Sequence, residues 1–428
     1  MTPSGSLKGC DDMNETPRAN RLHIAVFGRR NAGKSSLINA ITGQEVALVS
    51  KHPGTTTDPV YKAMELLPLG PVVFIDTAGL DDTGDLGRLR VKKTLAVMDK
   101  TDLALMVFSP ENSSFDLEKE WYEKLRERKI PIIGVVNKVD IKDTGIDKYS
   151  KDFDFPFVKV SAKEGTNIWK LKEMISQYAP SNFELPALIG DILKPKSQVI
   201  LVTPQDIQAP KNRLILPQVQ TIRDLLDHNC MALVAKDTEL EDLLQSLKWL
   251  PDLVITDSQI FHRVNEIVPE NVPLTSFSII MSRYKGELGT FIKGAHAIDE
   301  LKPGDRVLIA EACTHHPLEN DIGRQKLPAL LEKKAGGKLE IDVKAGADFP
   351  EDLTPYRLIL HCGSCMLNRK QMLSRIIRAI QQDVPITNYG MAFAHAAGIL
   401  KRATSMFGQA SGSPLTTGGR HDKVSEGL

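Results

Sequence analysis

Hydrophobic and polar positions along the chain fall into three tracts in which short apolar runs alternate with amphipathic stretches. In the first tract, apolar runs at 23–27, 72–75, 103–108, 131–136 and 157–160 predict strands. Helical periodicity at 35–42, 85–99, 116–129 and 167–178 predicts helices between them. The second tract repeats the style, with strands at 199–202, 231–235, 252–256 and 273–279 and helices at 217–228, 238–248 and 258–267. The third delivers apolar strands at 306–312 and 356–360 and a basic amphipathic helix at about 367–382. Such alternation predicts mostly parallel sheets with helices on both faces. The fold class is therefore α/β, an N-terminal domain followed by two further α/β domains. No repeat of 20–50 residues is evident, although the second and third tracts share their alternation.

Punctuation in the chain sets the expected boundaries. Residues 1–20 are polar and aperiodic and read as a disordered tail, as does 408–428. The first domain is expected over 21–180. A break at Ala179-Pro180-Ser181-Asn182-Phe183-Glu184-Leu185-Pro186, followed by Lys194-Pro195, reads as a linker over 181–196. The second domain is expected over 181–275, linker included, and the third over 276–407.

Composition removes several function classes. The 428 residues carry 54 basic and 54 acidic side chains, so no bulk charge points to nucleic acid or an anionic membrane. No apolar run reaches the ~18 residues of a membrane helix, and no signal-peptide pattern opens the chain. A soluble, cytoplasmic protein is expected. Five cysteines (Cys10, Cys230, Cys313, Cys362, Cys365) are too few for a disulfide scaffold in so long a chain. Cys10 lies in the tail and reads as incidental.

Chemistry first appears at Gly28-Arg29-Arg30-Asn31-Ala32-Gly33-Lys34-Ser35, between the apolar run 23–27 and the helical pattern that continues through Ser36. Strand, G-x-x-x-x-G-K-S loop and helix together are the context of a phosphate-binding loop. Its glycines let backbone N–H groups, Ala32 among them, point at β- and γ-phosphates, and the helix N-terminus adds positive potential. Lys34 reaches the phosphate oxygens, and the Ser35 hydroxyl is the expected Mg²⁺ ligand. Phe74-Ile75-Asp76-Thr77-Ala78-Gly79 is a strand ending in D-x-x-G, with Asp76 toward magnesium and the Gly79 N–H toward the γ-phosphate. Val135-Val136-Asn137-Lys138-Val139-Asp140 ends in N-K-x-D. Asp140 can accept from both N1–H and N2–H of guanine, a donor pair that adenine lacks. Asn137 and Lys138 support and cover the base, and Ser161-Ala162-Lys163 is positioned for the guanine O6. In this order the motifs specify GTP.

Residues 22–180 resemble the Era- and TrmE-like branch of P-loop GTPases. Pro53-Gly54-Thr55-Thr56-Thr57-Asp58 is similar to that branch's switch segment, which makes Thr56 the expected Mg²⁺ and γ-phosphate threonine, with Thr55 and Thr57 as alternatives. The resemblance makes Lys34, Thr56, Asp76 and Gly79 the candidate catalytic residues. Leu80 follows D-T-A-G where Ras-like enzymes place a water-orienting glutamine. Asn31 matches the asparagine by which potassium-dependent members of the branch hold K⁺ beside the phosphates; simple loop geometry is the alternative reading.

The second tract offers no glycine fingerprint, metal spacing or acid–base constellation. His228 and His262 lie in helical patterns and read as cap or surface residues. Self-association is the expected role of this domain. In the third tract, the strand 306–312 delivers Cys313-Thr314-His315-His316 and the strand 356–360 delivers His361-Cys362-Gly363-Ser364-Cys365. Both loops then lie at carboxyl ends of strands in one α/β domain, where they can face each other. Three converging thiolates call for a metal. From spacing alone, zinc with Cys₃His coordination is slightly favoured over an iron–sulfur cluster.

The order of these parts changes that weighting. A GTPase of this branch, a motif-poor α/β domain and C-x-H…H-C-x-x-C together resemble the FeFe-hydrogenase maturation GTPase (HydF) family over about 21–407. The resemblance implies three domains, for GTP binding, dimerisation and cluster binding, in a homodimer. It implies a 4Fe-4S cluster on Cys313, Cys362 and Cys365 with an exchangeable fourth position, for which His315 and His361 are candidates as ligands or as outer-shell groups. It also implies a scaffold and carrier that receives a diiron precursor made with the radical-SAM maturases HydE and HydG and delivers it to apo-hydrogenase. The competing class is an RNA- or ribosome-associated GTPase with a structural zinc domain. Neutral net charge and the absence of an aromatic–basic patch argue against it.

Overall fold

The computed structural model describes residues 18–43, 59–80, 93–112, 114–180, 187–204, 214–312, 322–346, 348–364 and 367–411. Cys10, the 53–58 segment with Thr56, Cys313, His315 and Cys365 lie outside the described residues, as do most of both tails. The described chain forms two units, one built on a six-stranded sheet and the other on two four-stranded sheets.

The first sheet contains β1 (Leu22–Gly28), β2 (Val60–Leu66), β3 (Gly70–Asp76), β4 (Leu103–Phe108), β5 (Ile132–Val136) and β6 (Phe157–Lys159) in the order β2-β3-β1-β4-β5-β6. All pairs are parallel except β2 with β3. β1 and β4 are buried along their whole length, as expected of strands covered by helices on both faces. Alternate residues divide between two cores: Leu22, Ile24 and Val26 face one, and Ala25 and Phe27 the other. β2 escapes the sequence pattern because it is an edge strand whose exposed and half-buried residues include Lys62 and Glu65.

The second sheet contains β7 (Gln198–Val202), β8 (Met231–Ala235), β9 (Leu253–Thr256) and β10 (Leu274–Ser276) in the order β8-β7-β9-β10. The third contains β11 (Arg306–Glu311), β12 (Glu340–Ala345), β13 (Leu358–His361) and β14 (Ile386–Asn388) in the order β12-β11-β13-β14. Every pairing in both is parallel. The two sheets therefore share one topology, with the first strand between the second and third.

Local sequence follows that likeness at a spacing of roughly a hundred residues, too long to register as a short repeat. Leu193-Lys194-Pro195 leads into β7 and Leu301-Lys302-Pro303 into β11, each followed by a left-handed residue, Lys196 (φ 72°) or Gly304 (φ 88°). Pro273-Leu274-Thr275-Ser276 forms β10 and Pro385-Ile386-Thr387-Asn388 forms β14, the Pro273 and Pro385 carbonyls each accepting a bond of 2.9 Å from the neighbouring strand. The expected strand 273–279 ends at Ser276 because that side chain caps a helix, Phe277–Lys285, accepting from the Ile279 N–H. Asn388 caps Tyr389–Ala396 in the same way through the Met391 N–H. These two helices cross closely: a Cβ on Gly390 would lie 2.4 Å from the Ser278 Cβ. β12, β14 and the helices Leu288–His296 and Leu327–Ala335 were not read from the sequence, since their patterns are short or half-buried.

Candidate functional site

The first site occupies the carboxyl edge of the first sheet, where β1 lies between β3 and β4. Gly28 ends β1 so close to β4 that an added Cβ would sit 2.6 Å from the Val107 carbonyl oxygen. Gly33 has φ 89° and caps the helix Lys34–Thr42; a Cβ there would meet the Asn137 amide nitrogen at 2.3 Å. Only glycine satisfies both approaches. Asn31 also takes a left-handed conformation, φ 58°, which asparagine tolerates well. Ser36 is exposed in the helix's first turn.

Lys34 is buried, and its ammonium donates to the carbonyls of Gly28 and Arg29 at 2.9 Å each. The Ser35 hydroxyl donates to Asp76 Oδ2, while Asp76 Oδ1 is buried with no hydrogen-bond partner. Burial raises the Asp76 carboxyl above its usual range, opposed by the Ser35 hydrogen bond and by Lys34 and Lys62. A hydroxyl bonded to one carboxylate oxygen and an unsatisfied second oxygen together fit a divalent cation. Gly79 lies in the loop after β3. Leu80, next to it, is 4% exposed and packs in the core with Phe27 and Ile75 while its N–H donates to the Gly28 carbonyl. The glutamine position is thus filled by a structural residue.

Asn137, 2% exposed, joins two loops. Its amide donates to the Ala32 carbonyl at 3.0 Å, and its carbonyl oxygen accepts from the Ala162 N–H at 3.0 Å. Asp140 is exposed and held by the Ser161 hydroxyl at 2.7 Å, which pulls its carboxyl below the usual range. Lys138 has φ 62° and pairs with Glu111, and Lys163 is exposed. Sequence reading missed one anchor: Arg29 forks onto the buried Glu118 at 2.7 and 2.9 Å, fixing the variable part of the loop. A pair 89 residues apart leaves no signal in spacing.

The second site lies between the carboxyl ends of β11 and β13, which pair directly (Ala310 with His361). Because β12 flanks β11 on one side and β13 on the other, this is the switch point of the sheet. The two loops meet there: the Ala312 N–H, one residue before Cys313, donates to Cys362 Sγ at 3.0 Å. Cys362 is half-buried.

His361 is fully buried with both ring nitrogens engaged. Arg375 Nη1 lies 2.7 Å from Nε2, and a guanidinium only donates, so Nε2 accepts. The proton is then on Nδ1, which reaches the Cys362 carbonyl at 3.0 Å with the Ser364 hydroxyl at 3.1 Å. Burial, with the Arg375 charge beside it, pushes His361 down to about 3, so the ring is neutral. This arrangement makes His361 an orienting group for the Cys362 backbone. Motif reading missed two further residues, one on each side of the site. Lys285, 1% exposed, donates to the Ser364 and Leu367 carbonyls at 3.2 and 2.8 Å. The buried Glu311 at the end of β11 pairs with Arg324 through both carboxylate oxygens.

Comparison with known proteins follows this division. Residues 23–138 match the 50S ribosome-binding GTPase family, 188–286 the hydrogen maturase F dimerization domain and 289–406 the hydrogen maturase F tetramerization domain. The chain is 37% identical over 167 residues to the tRNA modification GTPase MnmE of Moorella thermoacetica, covering 36% of this chain and 34% of that one. It is 33% identical over 165 residues to GTPase Der of Nautilia profundicola, covering 36% of each. The chain spans about a third of the length of the curated relatives it matches. Era of Aquifex aeolicus, solved bound to GDP and AlF4⁻, is 19% identical with a TM-score of 0.35, over 50% of this chain and 94% of its own. No helix among the described residues is long and apolar enough to cross a membrane.

Asn137→Ala would leave the Ala32 carbonyl and the Ala162 N–H without their partner. A loss of about 1–3 kcal/mol is expected in denaturant unfolding of the nucleotide-free protein, together with weaker nucleotide binding by calorimetry. Unchanged values in both would remove Asn137 as the tie between the two loops.

Proposed function

For a chain that belongs to the hydrogen maturase F family, with that family's dimerization and tetramerization domains behind a P-loop GTPase domain, we propose a GTP-hydrolysing scaffold and carrier. It assembles the diiron subcluster of the FeFe-hydrogenase active site and delivers it. The maturases HydE and HydG and the apo-hydrogenase are the proposed partners, and the diiron precursor is cargo. Self-association is supported by the apolar side chains exposed around the β8 edge, Val219, Leu226, Met231 and Val234.

In the proposed cycle, incoming β- and γ-phosphates replace the Gly28 and Arg29 carbonyls as acceptors for Lys34. The loop's N–H groups, Ala32 included, and the helix N-terminus at Ser35 and Ser36 face the same charge. Ser35 and Asp76, with Thr56, would hold Mg²⁺, which supplies positive charge against the phosphate oxygens. The Gly79 N–H reads the γ-phosphate. Asp140, oriented by Ser161, accepts from guanine; Lys138 covers the base, and Ala162 and Lys163 face its O6.

Cys313, Cys362 and Cys365 would hold the 4Fe-4S cluster, which supplies a redox-active site with an exchangeable fourth position. The observation that carries this reading is the Ala312 N–H on Cys362 Sγ, which brings the approach to Cys313 onto Cys362. A backbone donor at sulfur suits a thiolate ligand, and His361, hydrogen-bonded through both ring nitrogens, holds the Cys362 backbone carbonyl. Iron and sulfide analysis with EPR of the anaerobically reconstituted protein tests the reading; a colourless zinc protein would overturn it.

Three further outcomes are expected. Asp140→Asn should shift preference from GTP toward xanthosine triphosphate, because its amide presents a donor where guanine also donates; unchanged GTP binding would refute the role of Asp140. With Leu80 in the core, unassisted hydrolysis should stay at or below ~10⁻² s⁻¹. It should run faster in K⁺ than in Na⁺ if Asn31 holds a cation, and equal rates would remove that role.

The two sites should also separate. Cys362→Ser or Cys365→Ser should lose the cluster, since a neutral hydroxyl is a poor iron ligand, while GTP hydrolysis persists. Lys34→Ala should abolish hydrolysis and keep the brown cluster. A cysteine variant that still activated hydrogenase in a maturation assay would sink the scaffold reading.

A further inference from the structure

A second cluster of metal-ligating side chains lies in the third domain, apart from the cysteine loops. His296 ends the helix Leu288–His296, Asp299 lies in the 3₁₀ turn Ala297–Glu300, and His395 belongs to the helix Tyr389–Ala396. One ligand atom from each falls within 4.8 Å of the others. His395 is held in place: its side chain is 11% exposed, and Nε2 sits 2.8 Å from Asp299 Oδ2. The exposed His296 ring stands edge-on to it, centroids 5.1 Å apart and planes at 84°, with one of its nitrogens inside the same 4.8 Å group.

We propose that His296, Asp299 and His395 form a binding site for a borderline divalent transition ion of the Zn²⁺ class. Two imidazoles and one carboxylate suit such an ion, whereas Mg²⁺ and Ca²⁺ take oxygen donors. Binding replaces the His395–Asp299 hydrogen bond with two metal bonds, the ring ligating through Nε2 as a neutral imidazole with its proton on Nδ1. Three protein donors leave one tetrahedral position for water. The ion ties together the helices Leu288–His296 and Tyr389–Ala396 of the region that matches the tetramerization domain, residues 289–406. The helix of His395 starts at the carboxyl end of β14 and runs back along the sheet, so six residues of rise put His395 about 9 Å from that edge. Lys334 Nζ lies 4.0 Å from Asp299 Oδ1 and competes for the carboxylate.

Cobalt(II) titration of the untagged, chelator-treated full chain, reduced, anaerobic and in excess Mg²⁺, tests the site. Thiolate-bound cobalt shows sulfur-to-metal charge transfer in the near ultraviolet; cobalt on two histidines and a carboxylate does not. Beyond any cobalt held by the cysteines, which carries the sulfur signature, one further cobalt per chain with visible ligand-field bands and no such signature is expected, displaced by Zn²⁺ and accompanied by a higher thermal midpoint. His296→Ala, at an exposed helix end, should weaken that binding ~100-fold or more, beyond the ~10–100-fold of outer-shell changes. Lys334→Ala, which removes the competing cation, should tighten it. Cobalt bound only with a sulfur signature, or binding indifferent to both substitutions, would overturn the proposal.

Discussion

Both candidate chemical sites depend on one constraint of parallel sheets. Where the strand order of a parallel sheet reverses, the connections on the two sides leave in different directions, and the loops at the carboxyl ends of the adjacent strands part around a crevice. β1, between β3 and β4, places the glycine loop and Asp76 there. β11, between β12 and β13, places the approach to Cys313 beside Cys362. Neither site needs a special element; each uses the edge that the topology already leaves open.

Backbone groups and buried side chains then shape the crevices. At the first, Gly28 and Gly33 admit close neighbours that any Cβ would exclude, and Asn137 spends its whole amide on the two loops around it. At the second, Lys285 and Arg375 bring buried positive charge to the cysteine loop. Lys285 comes from the helix Phe277–Lys285, inside the stretch 188–286 that matches the dimerization domain. The shared topology of the second and third sheets gives this contact its setting, since the helices after β10 and β14 cross at Ser278 and Gly390.

Periodicity and motif order determined much of this protein. The first-domain strands, the strands of the second sheet, the GTP motifs and the paired cysteine loops are local patterns, carried by runs of a few residues whose spacing survives without knowledge of contacts. Tertiary structure decided what depends on partners far apart in the chain. β2 became an antiparallel edge strand because β3 offered it a side, despite a pattern too polar to read. Leu80 went into the core, and Asn31 took a left-handed turn that suits asparagine. His361 had two readings, ligand or outer-shell group; its contact with Arg375, fourteen residues on, at 2.7 Å from Nε2 is one that spacing does not record. The same holds for Glu118 beneath Arg29 and for His296, Asp299 and His395, which meet across 100 residues of chain. Such groups come together only when separate elements pack, and one-dimensional spacing does not record that packing.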